Sequence, residues 1–136
     1  MSMLQIPMPI HERMIGQARE GFPFEACGIL GGKGNIVSAI YPMTNTDASR
    51  DHFMMDPREQ FSVVKALRSQ ELEMLAVYHS HPATPARLSD EDLRLAFTPG
   101  ISYVIVSLAD PSAPEVRSFK ISGGKVGSEE LIIVND

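Results

Sequence analysis

Two histidines two residues apart, His79 and His81, close the apolar run Met74-Leu75-Ala76-Val77. After a proline-containing loop come Ser89 and Asp92, three apart. Residues i and i+2 of a strand project from one face, so both imidazoles can point at a single ion. A strand end is also where such a site can open to solvent. Neutral imidazole suits zinc, and two histidines with one carboxylate leave the fourth tetrahedral position to water. Asp92 is the candidate carboxylate: it lies one helical turn beyond Ser89, so the two share a helix face, whereas Asp90 and Glu91 lie at other angles.

Each half of this pattern also has an ordinary reading. A His-x-His pair at the end of an apolar strand is common without a metal. Ser89-x-x-Asp92 is a capping box, a frequent way to start a helix. Cap and site are compatible, because a hydroxyl carries one donor and two acceptor positions. Ser89 can accept from the helix backbone and still donate to a reacting oxygen; Asp92 can offer one oxygen to a metal and the other to a backbone N–H. The combined spacing carries the inference. For this composition, His at +2, Ser at +10 and Asp at +13 after any histidine coincide by chance with a probability on the order of 10⁻³.

The rest of the chain must carry these groups. Its 136 residues are the size of one domain, 1–136, and can bury a full core. An apolar share of 43% and a charged share of 21% fit a globular protein. The net charge of −5 argues against nucleic acid as a partner. The single cysteine, Cys27, allows no intrachain disulfide and fits a reducing compartment. Met1 to Gln5 lacks the basic and apolar regions of a signal peptide, and no apolar run nears the roughly 20 residues that span a membrane. A cytoplasmic protein without membrane contact is expected, and association with a second copy as a homodimer is left open.

Pro9 to Glu20 reads as a helix with Ile10, Met14 and Ala18 inward and His11 exposed. Gly28 to Gly32 and Ile36 to Tyr41, joined by Lys33-Gly34-Asn35, read as a hairpin. The polar stretch Thr44 to Asp56 is long for a connection and is expected to form a substrate lip. A second helix opens on Asp56-Pro57 and runs to about Gln70, with an apolar stripe of Phe61, Val64 and Leu67 or Ala66. Leu72 to Tyr78 reads as a buried strand ending at the histidines, and Ser89 to Phe97 as a short helix. Ile101 to Leu108, Val116 to Ile121 and Glu130 to Val134 read as further strands. This order predicts an α/β (α+β) architecture with a mixed sheet flanked by helices.

His79-Ser80-His81-Pro82, the seven-residue gap to Ser89, Ser89-x-x-Asp92 and an upstream Glu25 together resemble the motif of the JAMM/MPN+ zinc metalloproteases, with no ligand position missing. Pro23 to Gly31 and His52-Phe53-x-Met55-Asp56-Pro57 are similar to other segments of that family, and the likeness extends from about Pro9 to about Phe119. The small size and the 82–87 loop look most like its stand-alone bacterial members. The resemblance implies an MPN/JAB fold of cytidine-deaminase-like architecture, with one Zn²⁺ held by His79, His81 and Asp92. It implies Glu25, brought from the far side of the fold, as the general acid/base for the attacking water, and Ser89 as a stabiliser of the oxyanion. The implied reaction is hydrolysis of a peptide or isopeptide bond, after the C-terminal Gly-Gly of a small ubiquitin-like or sulfur-carrier protein.

Three further residues are candidates for substrate contact. Arg50 and Arg87 could meet a carboxylate or carbonyls, or be solvated surface charge. Cys27 shares a face with Glu25 on an extended segment and could approach the metal, although a free cysteine is more often a small buried residue. Competing readings are a zinc deaminase, disfavoured because a single cysteine cannot make Pro-Cys-x-x-Cys; a non-enzymatic scaffold of the same fold, disfavoured by the filled ligand positions; and a related peptidase of another substrate class.

Overall fold

A computed structural model describes residues 2–90, 92 and 100–135. In chain order the elements are β1 (Met3–Pro7), α1 (Met8–Gly21), β2 (Cys27–Lys33), β3 (Ile36–Met43), α2 (Pro57–Ser69), β4 (Glu73–His81), β5 (Ser102–Ser107), β6 (Glu115–Ser122) and β7 (Lys125–Val134). The expected helix over 89–97 falls largely outside the described residues; of that span Ser89, Asp90 and Asp92 are described, the two aspartates as helical.

The strands form a mixed sheet in the order β1-β3-β2-β4-β5-β6-β7, closed on itself because β1 pairs with both β3 and β7. β1 is parallel to both neighbours, β4 and β5 run parallel, and the remaining pairs are antiparallel. A parallel pair needs a long crossover. Here residues 82–101 make it, leaving the sheet at His81 and bringing Ser89 and Asp92 back over the carboxyl end of β4, where sites of parallel pairs form.

α1 packs on β1, β3, β5 and β7, and α2 on β4. Tyr78, Leu30, Val104 and Val106 share the α1 face with Leu4, Ile6, Met14 and Ala18. Cys27, Ile29 and Val77 face α2 with Val63, Leu67, Met43 and Met55. Gly28 permits the close approach of β2 and β4, since a Cβ there would lie 2.2 Å from the Tyr78 ring.

Several expectations are corrected. β1 has no counterpart in the sequence reading: only Leu4 and Ile6 of its five residues point inward, too few to establish a period. α1 begins at Met8 and β7 at Lys125, and β4 contains the histidines rather than ending before them. α2 opens as expected, with Asp56 accepting from the Arg58 N–H at 2.8 Å and Pro57 in the first turn. Leu67 is buried as expected, but with Val63 four residues earlier, while Val64 is half-buried and Phe61 is 65% exposed beneath the Lys65 ammonium. Packing against β4 sets that rotation. His11 is half-buried rather than exposed, and burial lowers its pKa.

Candidate metal centre

His79 and His81 point into one place because β4 is extended through both. His79 Nε2 lies 3.2 Å from His81 Nε2. The Asp92 carboxylate spans the pair, with Oδ1 3.1 Å from His79 Nε2 and Oδ2 3.0 Å from His81 Nε2. All three residues are buried, and one donor atom from each lies within 4.8 Å of the others. Bonds of about 2.0–2.1 Å to a tetrahedral ion put donor atoms roughly 3.3 Å apart. The observed edges match that spacing, and the donor set of two imidazoles and a carboxylate suits a zinc-like cation.

Electrostatics point the same way. Burial would raise the Asp92 pKa, but the hydrogen bonds from His79 and His81 outweigh it and hold the carboxyl well below the usual carboxylate range. Burial lowers the His79 pKa against the pull of Asp92. For His81 burial also acts downward, yet Asp92 and the Pro85 carbonyl overcome it and the shift is upward. Anionic Asp92 thus calls for a positive charge at the centre, which a proton on His81 or a metal cation can provide.

The surroundings differ for the two rings. His81 Nδ1 lies 2.9 Å from the Pro85 carbonyl, the kind of contact that fixes a tautomer and presents Nε2. His79 Nδ1 is buried without a hydrogen-bond partner among the described residues. Its ring instead stacks on Phe53, with centroids 4.7 Å apart and planes at 26°.

Glu25 lies two residues before the start of β2, whose Cys27 is opposite His79. It therefore comes from the segment leading into the strand that adjoins the histidines, not from the far side of the fold. Ser80 ties the two strands there: its N–H donates to the Ala26 carbonyl at 2.9 Å and its Oγ accepts from the Ala26 N–H at 2.8 Å. Glu25 is 3% exposed, and its Oε1 has no hydrogen-bond partner among the described residues. Burial raises its pKa to about 8, with His81 opposing and Asp92 and Asp51 adding to the rise.

Ser89 and Asp92 form the expected reciprocal cap. The Asp92 N–H donates to Ser89 Oγ at 3.0 Å, and the Ser89 N–H donates to Asp92 Oδ2 at 2.9 Å. One backbone N–H thus braces the same oxygen that faces His81. Beside the centre lies a cleft of about 420 Å³ lined by His81, Thr84, Pro85, Arg87, Leu88, Ser89 and Asp90. Arg87 stands on it, whereas Arg50 is exposed on the 44–56 loop and lines no part of that cleft.

Of the two readings open for Cys27, the structure matches the small buried residue and not the substrate contact. Cys27 has no exposed surface, its Sγ lies 3.8 Å from the Met43 carbonyl, and burial first, then Glu59 and Glu25, push the thiol up to about 12. A sealed, protonated thiol packed among Ile29, Met43 and Val63 is a core residue. Phe53 and the Pro85 carbonyl, by contrast, belong to the site's surroundings without having been picked out as such. A ring stack between distant segments and a backbone carbonyl leave no mark in residue spacing.

The family described as prokaryotic homologs of the JAB domain matches residues 7–122. The CysO-cysteine peptidase of Mycobacterium tuberculosis (strain ATCC 25618 / H37Rv) is 37% identical over 123 residues, covering 89% of this chain and 84% of that protein. The desampylase of Haloferax volcanii is 33% identical over 113 residues, covering 78% and 81%. The solution structure of protein DSY2949 from Desulfitobacterium hafniense superposes with a TM-score of 0.90 at 47% identity, covering 98% of this chain and 94% of that one.

Proposed function

The chain belongs to the prokaryotic JAB group of the JAMM/MPN family, and as such is a hydrolase of the peptidase class; from that premise we propose that it is a zinc-dependent peptidase or isopeptidase. Its substrate is a conjugate of a small ubiquitin-like or sulfur-carrier protein, cut after the C-terminal Gly-Gly. The observation that carries this reading is the convergence of His79, His81 and Asp92 within 4.8 Å of one another. The similarity to a CysO-cysteine peptidase and a desampylase supports the substrate class.

His79 Nε2, His81 Nε2 and an Asp92 oxygen would hold the ion, and zinc there would supply an acidified water, with a pKa near 7, and a Lewis acid for the scissile carbonyl. Glu25 moves the protons. Its Oε1 has no partner among the described residues, and burial makes the carboxylate more basic than an exposed one, which suits it to take a proton from the attacking water and give it to the leaving amine. Ser89 Oγ already accepts from the Asp92 N–H, so its own hydrogen can be donated to the oxygen that gains negative charge. Arg87, on the cleft beside Ser89, is placed to meet a carboxylate or carbonyl of the substrate.

The test uses purified protein with two substrates: a sulfur carrier extended past Gly-Gly by one residue, and the same carrier joined to a lysine side chain. Mass spectrometry is expected to show release at Gly-Gly from one or both, abolished by a chelator and restored by zinc. Intact substrates in the presence of zinc-loaded protein would overturn the substrate assignment.

A further inference from the structure

The 44–56 segment contains a brace whose centre is one side chain. Asn45 Nδ2 donates to the carbonyls of Glu25 at 3.0 Å and His52 at 3.1 Å. Its Oδ1 accepts from the N–H groups of Asp47 and Met54, each at 3.1 Å. Asn45 also bridges to Met55, and Thr46 pairs with Met54. The two residues flanking Phe53 are therefore pinned by the same amide that holds the backbone of Glu25. The product of this pinning is the Phe53 ring lying on His79.

A metal-binding histidine ordinarily donates its second ring N–H to an acceptor, which fixes the plane of the ring. His81 has such a contact at Pro85, while His79 Nδ1 has none among the described residues. We propose that Phe53 is a positioning residue: presented by the Asn45 brace, it fixes the His79 imidazole plane by stacking, in place of a hydrogen bond to Nδ1. Offset stacking at this separation is favourable for aromatic pairs. An imidazole bound to a divalent cation is electron-poor, so the phenyl face holds the metal-bearing ring more strongly than the free one. The segment expected to serve as a substrate lip thereby forms a wall of the metal centre, coupling the orientation of His79 to the placement of Glu25.

This inference rests on His79 being a ligand, and the test separates the two. Metal-free wild type, His79→Ala, Phe53→Leu and Phe53→Tyr are titrated with Co²⁺, whose visible bands report ligand geometry, and then with Zn²⁺ against a competing chelator. Proton NMR of the metal-free proteins follows the His79 ring signals, which a stacked phenyl ring shifts upfield. Phe53→Leu is expected to weaken metal binding about 10- to 100-fold, change the Co²⁺ bands and lose the upfield shift. Phe53→Tyr is expected to retain affinity, bands and shift. If Phe53→Leu binds metal like wild type with unchanged bands, or Phe53→Tyr loses as much as Phe53→Leu, the positioning role is wrong. If His79→Ala retains full affinity, the ligand reading itself is wrong.

Discussion

The two faces of β4 treat buried polar groups in opposite ways. Toward α1, the Tyr78 hydroxyl donates to Gln17, whose amide donates to the Cys27 carbonyl at 3.0 Å, and Ser80 closes its bonds with Ala26. Toward α2, one residue further along the strand, His79 Nδ1 is buried without a partner among the described residues, and so is Glu25 Oε1 beside it. A buried polar atom left unpaired costs about 1–3 kcal/mol. One face is thus satisfied and stabilises the sheet; the other leaves unpaired, among the described residues, the Glu25 oxygen that would move protons and the ring nitrogen of His79 turned away from the centre. Unpaired buried groups are uncommon in native proteins, and a bound ion or a catalytic role is among the explanations for such a pair.

Removing a ligand should affect the α2 face most. Asp92→Ala is expected to lose stoichiometric metal and more than ~10³-fold in turnover, read by elemental analysis and by peptidase assay. Full metal content in that variant would place the ion elsewhere.

Glu25→Gln should keep metal and lose about 10²- to 10⁴-fold in turnover. It also has a signature in stability. Folding raises the Glu25 pKa from 4.5 to about 8, so between those values the folded protein keeps a proton that the unfolded chain releases. Folded stability therefore falls as pH rises through that window, by up to about 1.4 kcal/mol per unit. In the metal-free state the melting temperature of Glu25→Gln should gain on wild type from pH 5 to pH 8. Parallel melting curves at both pH values would show that Glu25 titrates normally.

Ser89→Ala removes both a cap and a candidate oxyanion donor. A turnover loss of about 10²-fold is expected beside about 1 kcal/mol of stability. A larger thermal than kinetic effect would leave Ser89 as a cap alone.

The smallest change is expected on the satisfied face. Tyr78→Phe should cost about 1 kcal/mol, seen as a lower denaturation midpoint, with turnover per bound metal unchanged. If turnover fell with the midpoint, the two faces would not be independent.

Much of the frame was legible in residue order. The β2–β3 hairpin, the capped start of α2 and the strand Ser102–Ser107 follow from turn residues, Asp-Pro and β-branched runs, which act over a few residues. Less was legible where one element meets another. The facing side of α2 turned on packing at Val63 and Leu67, and β1 exists because β3 and β7 offer it partners.

The same division holds at the site. The sequence by itself determined the donor types and their shared faces: His79 and His81 two apart on a strand, Ser89 and Asp92 three apart at a helix start. Those are properties of a single element's period. Only the tertiary structure decided that the β4–β5 crossover lays Asp92 across both imidazoles, that Glu25 adjoins them with an oxygen unpaired among the described residues, that Cys27 is sealed, and that Phe53 covers His79. Such facts depend on strand register and on the path of long connections, which side-chain packing over the whole chain settles and no local spacing encodes.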